Sequence, residues 1–154
     1  MTFETQSDKD RESIAVFTFV NYMKSKYNPF VGCSCVKLGK YELDFIIQLH
    51  SGKRITIEVK GVKNHNLEDN HVPIISVLKI AKMQRSVNEN RLNASYLIFA
   101  YKDGIKFQRL INLKGSFSWS GREPRKGSTN DREIILRLDR TKFDKIPFST
   151  LKNA

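Results

Sequence analysis

Hydrophobic and polar residues alternate with a period of two in two neighbouring segments near the middle of the chain. The segments cover residues 41–49 and 53–60, and only His50, Ser51 and Gly52 separate them. Alternation of this kind is typical of strands that are buried on one face. The sequence therefore predicts a β-hairpin that closes at these three residues.

The length of the hairpin loop decides which side chains share a face. A two-residue turn at Ser51-Gly52 would place Asp44 and Glu58 on opposite faces. A three-residue loop, with Gly52 in the left-handed position of a bulge, would instead place Asp44 directly across from Glu58. The three-residue loop is favoured because it also gathers the apolar residues on one face and leaves Asp44, Glu58 and Lys60 on the other. The apolar face then contains Leu43, Phe45, Ile47, Leu49, Ile55, Ile57 and Val59.

The rest of the chain predicts two helices and four further strands. Residues from about 7 to 26 and from about 76 to 90 carry apolar side chains at helical spacing, and Ser76 is a suitable N-cap for the second helix. Strands and helices in this order indicate an α/β fold, in which helices flank a mixed central β-sheet. The further strands are predicted at about 29–36, 95–101, 105–112 and 133–138, with a turn at Asp103-Gly104 between the second and third.

One acidic residue of the first predicted helix falls on its apolar stripe. Glu12 shares this stripe with Val16, Phe19 and Met23. An inward-facing carboxylate near a helix start usually has a partner such as a lysine or a metal-bound water. The alternative is a solvent-exposed charge in the first turns, where the helix dipole favours acidic residues. Most of the helix is expected to be buried, through Ile14, Phe17, Phe19, Val20 and Tyr22.

The charge balance narrows the range of functions. The 154 residues include 27 Lys and Arg and 16 Asp and Glu, which gives a formal net charge of +11 at pH 7. A positive field of this size attracts polyanions such as nucleic acids. A protein that only binds phosphate gains nothing from carboxylates placed where the phosphate must come. The combination of Asp44, Glu58 and Lys60 in a basic chain therefore indicates metal-dependent cleavage of nucleic acid.

These residues occur in an order that resembles a known family. Glu12 on the first helix, Asp44 on a strand and Glu58-Val59-Lys60 on its hairpin partner resemble the PD-(D/E)XK nuclease superfamily, and within it the archaeal-type Holliday junction resolvases. The resemblance implies a restriction-endonuclease-like core with a catalytic β-hairpin. Leu43 departs from the pattern, since many members have proline before the aspartate.

The resemblance also implies a role for each residue of the set. Asp44 and Glu58, with the backbone carbonyl of Val59, would bind Mg²⁺, for which Mn²⁺ could substitute. Lys60 would orient the attacking water molecule and offset charge that builds up on the phosphate. Glu12 would bind a second ion or a metal-bound water.

Other residues are candidates for contact with nucleic acid. Lys63 lies in an Asn-rich and His-rich loop that either contacts phosphates or stays mobile until substrate binds. His65 in this loop is a candidate base, with a solvent-exposed histidine as the alternative, and Gln84 on the second helix is a candidate for positioning the site. The segment 114–127 is rich in Gly, Ser and basic residues with interleaved aromatics, so it either grips nucleic acid or is a linker. Its candidate contacts are Arg122, Arg125 and Lys126.

The chain length indicates one nuclease domain over residues 1–154, with a core at about 7–113 and a basic C-terminal extension at about 114–154. No apolar run is long enough for a membrane span, and the N-terminus lacks the apolar core of a signal peptide. We therefore expect an intracellular protein, cytoplasmic or nucleoid-associated, without a membrane partner. Cys33 and Cys35 are expected to be reduced, with no metal or redox role.

Three functions are consistent with the sequence. The first is a Mg²⁺-dependent DNA endonuclease that is specific for Holliday junctions or other branched DNA. This function favours a homodimer, because a four-way junction requires two symmetric cuts. The second is a restriction-type endonuclease that recognises base edges in duplex DNA. The third is a nucleic-acid-binding protein without catalytic activity, in which the acidic set is only a surface pattern.

Overall fold

A computed structural model of the protein describes residues 6–37, 45–62, 64–89, 94–110, 115–120 and 133–149. Within these ranges the α-helices are α1 (Gln6–Lys26) and α2 (Val77–Glu89), and 3-10 turns cover Asn28–Phe30 and Arg140–Lys142. The first strands are β1 (Ser34–Lys37), β2 (Phe45–Gln48), β3 (Arg54–Gly61) and β4 (Ile74–Ser76). The later strands are β5 (Ala94–Ala100), β6 (Gly104–Arg109), β7 (Gly115–Ser120), β8 (Glu133–Leu138) and β9 (Asp144–Pro147).

The central sheet contains six strands in the order β1-β2-β3-β5-β6-β9. β3 and β5 run parallel, and the other neighbouring pairs are antiparallel. A parallel pair needs a crossover connection, which is usually helical, and α2 lies in the segment between β3 and β5. The predicted α/β fold, with a mixed central sheet and flanking helices, is therefore confirmed. Neither helix of the described ranges is long and apolar enough to cross a membrane.

The hairpin formed by β2 and β3 has the predicted three-residue loop. Phe45 lies across from Ile57, and this register continues to the end of β2. The amide of Leu49 donates to the carbonyl of Lys53 at 2.8 Å, and the amide of Gly52 donates to the carbonyl of Leu49 at 2.9 Å. Gly52 has a φ of +90°, in the left-handed region that glycine adopts without a steric penalty. The apolar pattern of the two strands thus selected the correct register.

The first hydrophobic core lies between α1 and the central sheet. Phe19 is fully buried, and its ring centroid lies 5.1 Å from those of Phe107 and Tyr96. Truncation of a buried phenylalanine to alanine costs about 3–5 kcal/mol, so Phe19 anchors the helix. The other buried side chains of α1 in this core are Ala15, Val16, Val20 and Met23.

Two apolar residues of α1 do not face this core. Ile14 and Phe17 are 46% and 60% exposed, so the prediction that they are buried is wrong. A helix that packs on one side buries a stripe about 100° wide. On α1 this stripe contains Ala15, Val16 and Phe19, and it leaves Ile14 and Phe17 outside.

A second core covers the opposite face of the central sheet. Here α2 and a three-stranded sheet with the order β4-β8-β7 pack against β5. Because both faces of the central strands are covered, β3 is buried from Ile55 to Val59, although its alternating pattern predicts burial on one face only. The members of this second core are Val62, Leu67, Ile75, Met83, Leu97, Phe99, Tyr101, Leu136, Leu138 and Phe143.

The C-terminal segment contributes strands to both sheets. β8 pairs with β4 and β7 in the small sheet, and β9 pairs with β6 at the edge of the central sheet. This segment also contributes buried residues to both cores, among them Ile146 in the first and Leu138 in the second. The turn before β6 also differs from the prediction: the amide of Tyr101 donates to the carbonyl of Gly104, so the turn centres on Lys102 and Asp103.

Gly104 serves the packing of β9 rather than the turn. It lies across from Pro147, and a Cβ atom at Gly104 would collide with the backbone carbonyl oxygen of Ile146. Only a residue without a side chain allows β9 to approach this closely.

Candidate active site

Glu58 and Lys60 are alternate residues of β3, so their side chains project from the same face of the central sheet. β3 pairs with β2 on one side and with β5 on the other, and Glu58 lies across from Leu97 of β5. Pairing with β5 fixes the backbone that carries the two functional groups. The face from which they project is the one covered by α2 and the small sheet.

The two side chains line a common cavity of about 220 Å³. Glu58 is only 5% exposed, whereas Lys60 is exposed and its Nζ donates a hydrogen bond of 2.9 Å to the backbone carbonyl of Ile74. The cavity thus presents a shielded carboxylate and an accessible ammonium group. The other lining residues are Ile75, Ser76, Lys79, Leu97, Ile98 and Phe99.

Lys79 also lines this cavity, and the sequence pattern does not predict its position there. Its Nζ lies 2.5 Å from Oε1 of Glu58, and its side chain is half-exposed. A buried carboxylate needs a partner of this kind, because an unpaired charge in the interior is costly. The sequence does contain a signal. Lys79 falls in the first turn of α2, where the helix dipole disfavours a cation, so its presence there calls for a nearby anion.

Glu12 is half-buried on α1, and its Oε2 atom is shielded from solvent. α1 packs against the face of β3 that carries Ile57 and Val59, whereas Glu58 projects from the other face. Among the described residues that line the cavity, none belongs to α1. The Val59 side chain is part of the first core. The predicted roles of Glu12 and of the Val59 carbonyl stay predictions.

The remaining predicted site residues either lie outside the described residues or do not line the cavity. Asp44 and Lys63 lie outside the described residues, so the position of Asp44 across from Glu58 stays a prediction. Gln84 is exposed on α2 and does not line the cavity. Arg122, Arg125 and Lys126 also lie outside the described residues.

The predicted base His65 belongs to an aromatic cluster beside the cavity. Its ring lies 4.6 Å from that of His71, whose Nδ1 atom is 3.0 Å from the hydroxyl of Tyr101. Burial raises the pKa of Tyr101 to about 12. Burial lowers the pKa of His71 below its ordinary value of 6.5, and neighbouring positive charge lowers it further. The neighbours that lower it are His65, Lys106 and Lys60, and Asp69 opposes them.

The loop that carries these histidines is anchored to the turn before β6. The amide of Leu67 donates to the carboxylate of Asp103 at 2.8 Å, and the amide of Lys102 donates to the carbonyl of His65 at 3.0 Å. His65 also lies 3.6 Å from the carboxylate of Asp69. The described part of this loop is therefore built into the fold beside Lys60.

The donor set at the cavity fits a hard divalent cation only in part. Carboxylate oxygens are the ligands that Mg²⁺ and similar ions prefer, and Glu58 supplies one such group. Within the described ranges, no group of three or more His, Cys, Asp or Glu residues could hold a metal ion. A complete site requires a second carboxylate, for which Asp44 is the candidate.

In the described fold α1 packs against one face of the mixed central sheet, and the Glu58-Val59-Lys60 sequence lies on the central strand β3. Over residues 1–146 the chain matches the model of a family described as "Phage putative PDDEXK endonuclease", and it belongs to that family. The predicted superfamily is thereby confirmed. PD-(D/E)XK nucleases generally use divalent metal ions, and membership supports an endonuclease that acts on DNA.

Among solved structures, the chain is similar to Hjc, a Holliday junction resolvase from the archaeal hyperthermophile Archaeoglobus fulgidus. The sequence identity is 9% and the TM-score is 0.44, and the match covers 80% of this chain and 83% of that chain. No curated protein matches the chain.

Proposed function

We propose that the protein is a Mg²⁺-dependent endonuclease that hydrolyses phosphodiester bonds in branched DNA, such as Holliday junctions, at the cavity between Glu58 and Lys60. The observation that carries this proposal is the buried Glu58 carboxylate, which shares one cavity with two lysines. Such a site offers a carboxylate for a cation and ammonium groups for a phosphate. Membership of the endonuclease family supports the same activity.

Asp44 is the proposed second carboxylate. Phe45 lies across from Ile57, and one further step in this register would bring Asp44 opposite Glu58. Cross-strand neighbours have Cβ atoms about 4.5–5.5 Å apart, which is close enough for both carboxylates to hold one ion together with the carbonyl of Val59. The bound ion would supply Lewis-acid chemistry and lower the pKa of water.

Lys60 and Glu12 complete the proposed set. The ammonium of Lys60 is exposed at the cavity, so it can exchange the carbonyl of Ile74 for an oxygen of the scissile phosphate. There it would orient the attacking water and stabilise negative charge that develops on the phosphate. Glu12, with one shielded oxygen, is proposed to bind a second ion or a metal-bound water.

The net charge of +11 supports binding of the phosphate backbone, with Lys63, Gln84, Arg122, Arg125 and Lys126 as the proposed contacts. A homodimer would provide the two symmetric cuts that a four-way junction requires. We propose action inside the cell, in the cytoplasm or at the nucleoid, where the DNA is found.

Cleavage assays test this function. Four-way junctions, branched duplexes and linear duplexes are incubated with the protein in Mg²⁺ and in EDTA. The proposal predicts Mg²⁺-dependent cutting of branched substrates, with little cutting by Asp44→Asn and Glu58→Gln. Site-specific cutting of linear duplex would favour the restriction-type alternative, and binding without cleavage would show that the protein is not a nuclease.

A further inference from the structure

The ion pair between Lys79 and Glu58 has a consequence for the binding of metal. Its two partners differ in exposure, since Glu58 is 5% exposed and the Lys79 side chain is about half-exposed. The carboxylate is therefore fixed in the sheet, whereas the lysine reaches it from the first turn of α2 on a flexible stem. The charged end of Lys79 lies at the place where a cation bound to Glu58 would be expected.

A divalent ion and the Lys79 ammonium group cannot both occupy the position next to the Glu58 carboxylate. Like charges only a few ångströms apart repel strongly at the effective dielectric of a protein surface, and a doubly charged ion repels an ammonium group more strongly than a singly charged one does. A long, half-exposed side chain relieves such repulsion by moving towards solvent. The Lys79 side chain is already half-exposed, and it lines the cavity together with the exposed Lys60.

We propose that Lys79 neutralises Glu58 while the site lacks a divalent ion, and that it binds a phosphate oxygen of the DNA once an ion replaces it. This inference rests on the proposed metal site at Glu58. It makes Lys79 a positioning residue whose contact with the DNA backbone depends on metal. The buried carboxylate then has a cationic partner in both states, and the affinities for metal and for DNA are coupled.

Mn²⁺ binding without DNA tests the first half of the proposal. The signal of free Mn²⁺ in electron paramagnetic resonance reports the affinity of each variant, and thermal unfolding checks that each variant is folded.

Removal of the competing charge in Lys79→Met is expected to tighten Mn²⁺ binding about tenfold, which corresponds to about 1.4 kcal/mol. Lys79→Arg, which keeps the charge, should bind Mn²⁺ as the unchanged protein does. Lys82→Met removes an exposed lysine of the same helix that does not line the cavity, and it should also leave the affinity unchanged.

DNA binding tests the second half. In a Lys60→Met background, which is expected to slow cleavage about 10²–10³-fold, fluorescence anisotropy with a branched DNA is measured with and without Mn²⁺. Mn²⁺ should strengthen DNA binding in this background, and should do so by about tenfold less when Lys79→Met is added.

The outcomes separate the two proposals. Weaker Mn²⁺ binding by Glu58→Gln supports the metal site itself, and unchanged binding would overturn that site and the proposed function with it. If Glu58→Gln weakens Mn²⁺ binding but Lys79→Met leaves it unchanged, only the role of Lys79 is overturned. Equal strengthening of DNA binding with and without Lys79 would likewise contradict that role.

A second inference comes from the small sheet. Ile75 of β4 lies across from Leu136 of β8, and Leu136 lies across from Phe117 of β7. The three apolar side chains therefore form a row on one face of the small sheet. Ile75 and Leu136 are 4% and 6% exposed, whereas Phe117 is 71% exposed. Neighbouring strands lie about 4.7–4.9 Å apart, so the backbone of Phe117 is roughly 10 Å from that of Ile75. Because Ile75 lines the cavity with Glu58, the row extends from the candidate active site to an exposed aromatic ring.

The sequence that follows β7 indicates an occupant for this ring. The segment 121–132, which connects β7 to β8, has four basic residues and two acidic ones. Basic residues near an aromatic residue in the sequence are typical of segments that bind single-stranded nucleic acid, because the charges attract the backbone and the ring stacks on a base. The basic residues are Arg122, Arg125, Lys126 and Arg132.

We infer that Phe117 stacks on an unpaired base of the strand that is cut, next to the scissile phosphate. The inference rests on the proposed active site and specifies its substrate: DNA in which bases beside the cleavage point are already unstacked, as at a branch. A base in an intact duplex would first have to be unstacked, which costs free energy that a base at a branch does not require.

Fluorescence of 2-aminopurine tests this contact. The analogue is placed beside the branch point of a four-way junction or within a linear duplex, and the cleavage-deficient Glu58→Gln variant is added in EDTA. Stacking on Phe117 should quench the fluorescence of the junction, Phe117→Trp should retain the quenching, and Phe117→Ala should abolish it.

The linear duplex should show no quenching. Equal quenching of the junction with and without Phe117 would overturn the inference. A change of sedimentation coefficient in Phe117→Ala would overturn it as well, since the ring would then lie between two copies of the chain. Failure of the stacking test leaves the cleavage assay of the proposed function unaffected.

Discussion

Phe45 on β2 lies directly across from Ile57 on β3, and this pair determines which residues meet at the open end of the hairpin. Both side chains are buried in the first core. A slip by one residue would turn the apolar side chains of β2 towards the opposite face, so the core fixes the register. Glu58 follows Ile57, and Asp44 precedes Phe45, which is why these two carboxylates are expected to face each other.

The loop of this hairpin should depend on Gly52. Replacement by alanine places a side chain at a φ of +90°, which costs of order 1–3 kcal/mol. Urea denaturation should therefore give a lower free energy of unfolding for Gly52→Ala. Gly61→Ala is a matched control, because Gly61 has no positive φ and no atoms within contact distance of an added Cβ. Equal stability of the two variants would contradict the loop geometry.

A different glycine tests the packing of the C-terminal strand. At Gly104 an added Cβ would collide with the backbone oxygen of Ile146, and overpacking of this kind typically costs about 1–3 kcal/mol. Hydrogen exchange should show faster exchange in β9 for Gly104→Ala than for Gly61→Ala. Unchanged exchange in β9 would show that the strand does not need this close approach.

The pH dependence of stability should reflect His71. Its pKa is lower in the folded protein than the ordinary value of 6.5, chiefly because of burial. The unfolded chain therefore binds more protons in the range just below 6.5, so this stabilising contribution is present above pH 6.5 and is lost as the pH falls. Urea denaturation between pH 7 and pH 5 should show a smaller decrease for His71→Gln than for the unchanged protein. An identical pH dependence would contradict the shift.

Lys60 should be needed for cleavage rather than for stability. Its Nζ lies at the surface of the cavity, and removal of one group that stabilises a transition state typically lowers a rate by about 10²–10³-fold. Single-turnover cleavage by Lys60→Met should fall by this amount. Lys53→Met removes an exposed lysine from the same hairpin and should retain most of the rate. A similar loss in both variants would indicate a general effect of charge.

Features that depend on residues close together in the chain could be predicted from the sequence. The register of the hairpin follows from alternation over a few residues and from Gly52, and α2 follows from helical spacing after Ser76. The exposure of Phe17 could not be predicted in this way, because it depends on which side of α1 meets the sheet.

Contacts between distant segments also escaped prediction. β9 pairs with β6 across about 40 residues of sequence, and the apolar pattern of each strand does not specify its partner. Lys79 reaches Glu58 from another element, and the two residues meet because α2 packs on the face of the sheet from which Glu58 projects. The candidate site was therefore predicted where the hairpin carries it and missed where α2 contributes.

Anomalous diffraction from crystals grown with Mn²⁺ tests the central claim most directly. An ion should be found between the carboxylates of Asp44 and Glu58, at about the 2.0–2.1 Å expected for a small divalent cation, with Asp44 directly across from Glu58. The Lys79 ammonium group should have left Glu58. An ion bound away from Glu58, or an Asp44 side chain on the opposite face of the hairpin, would contradict the proposed active site.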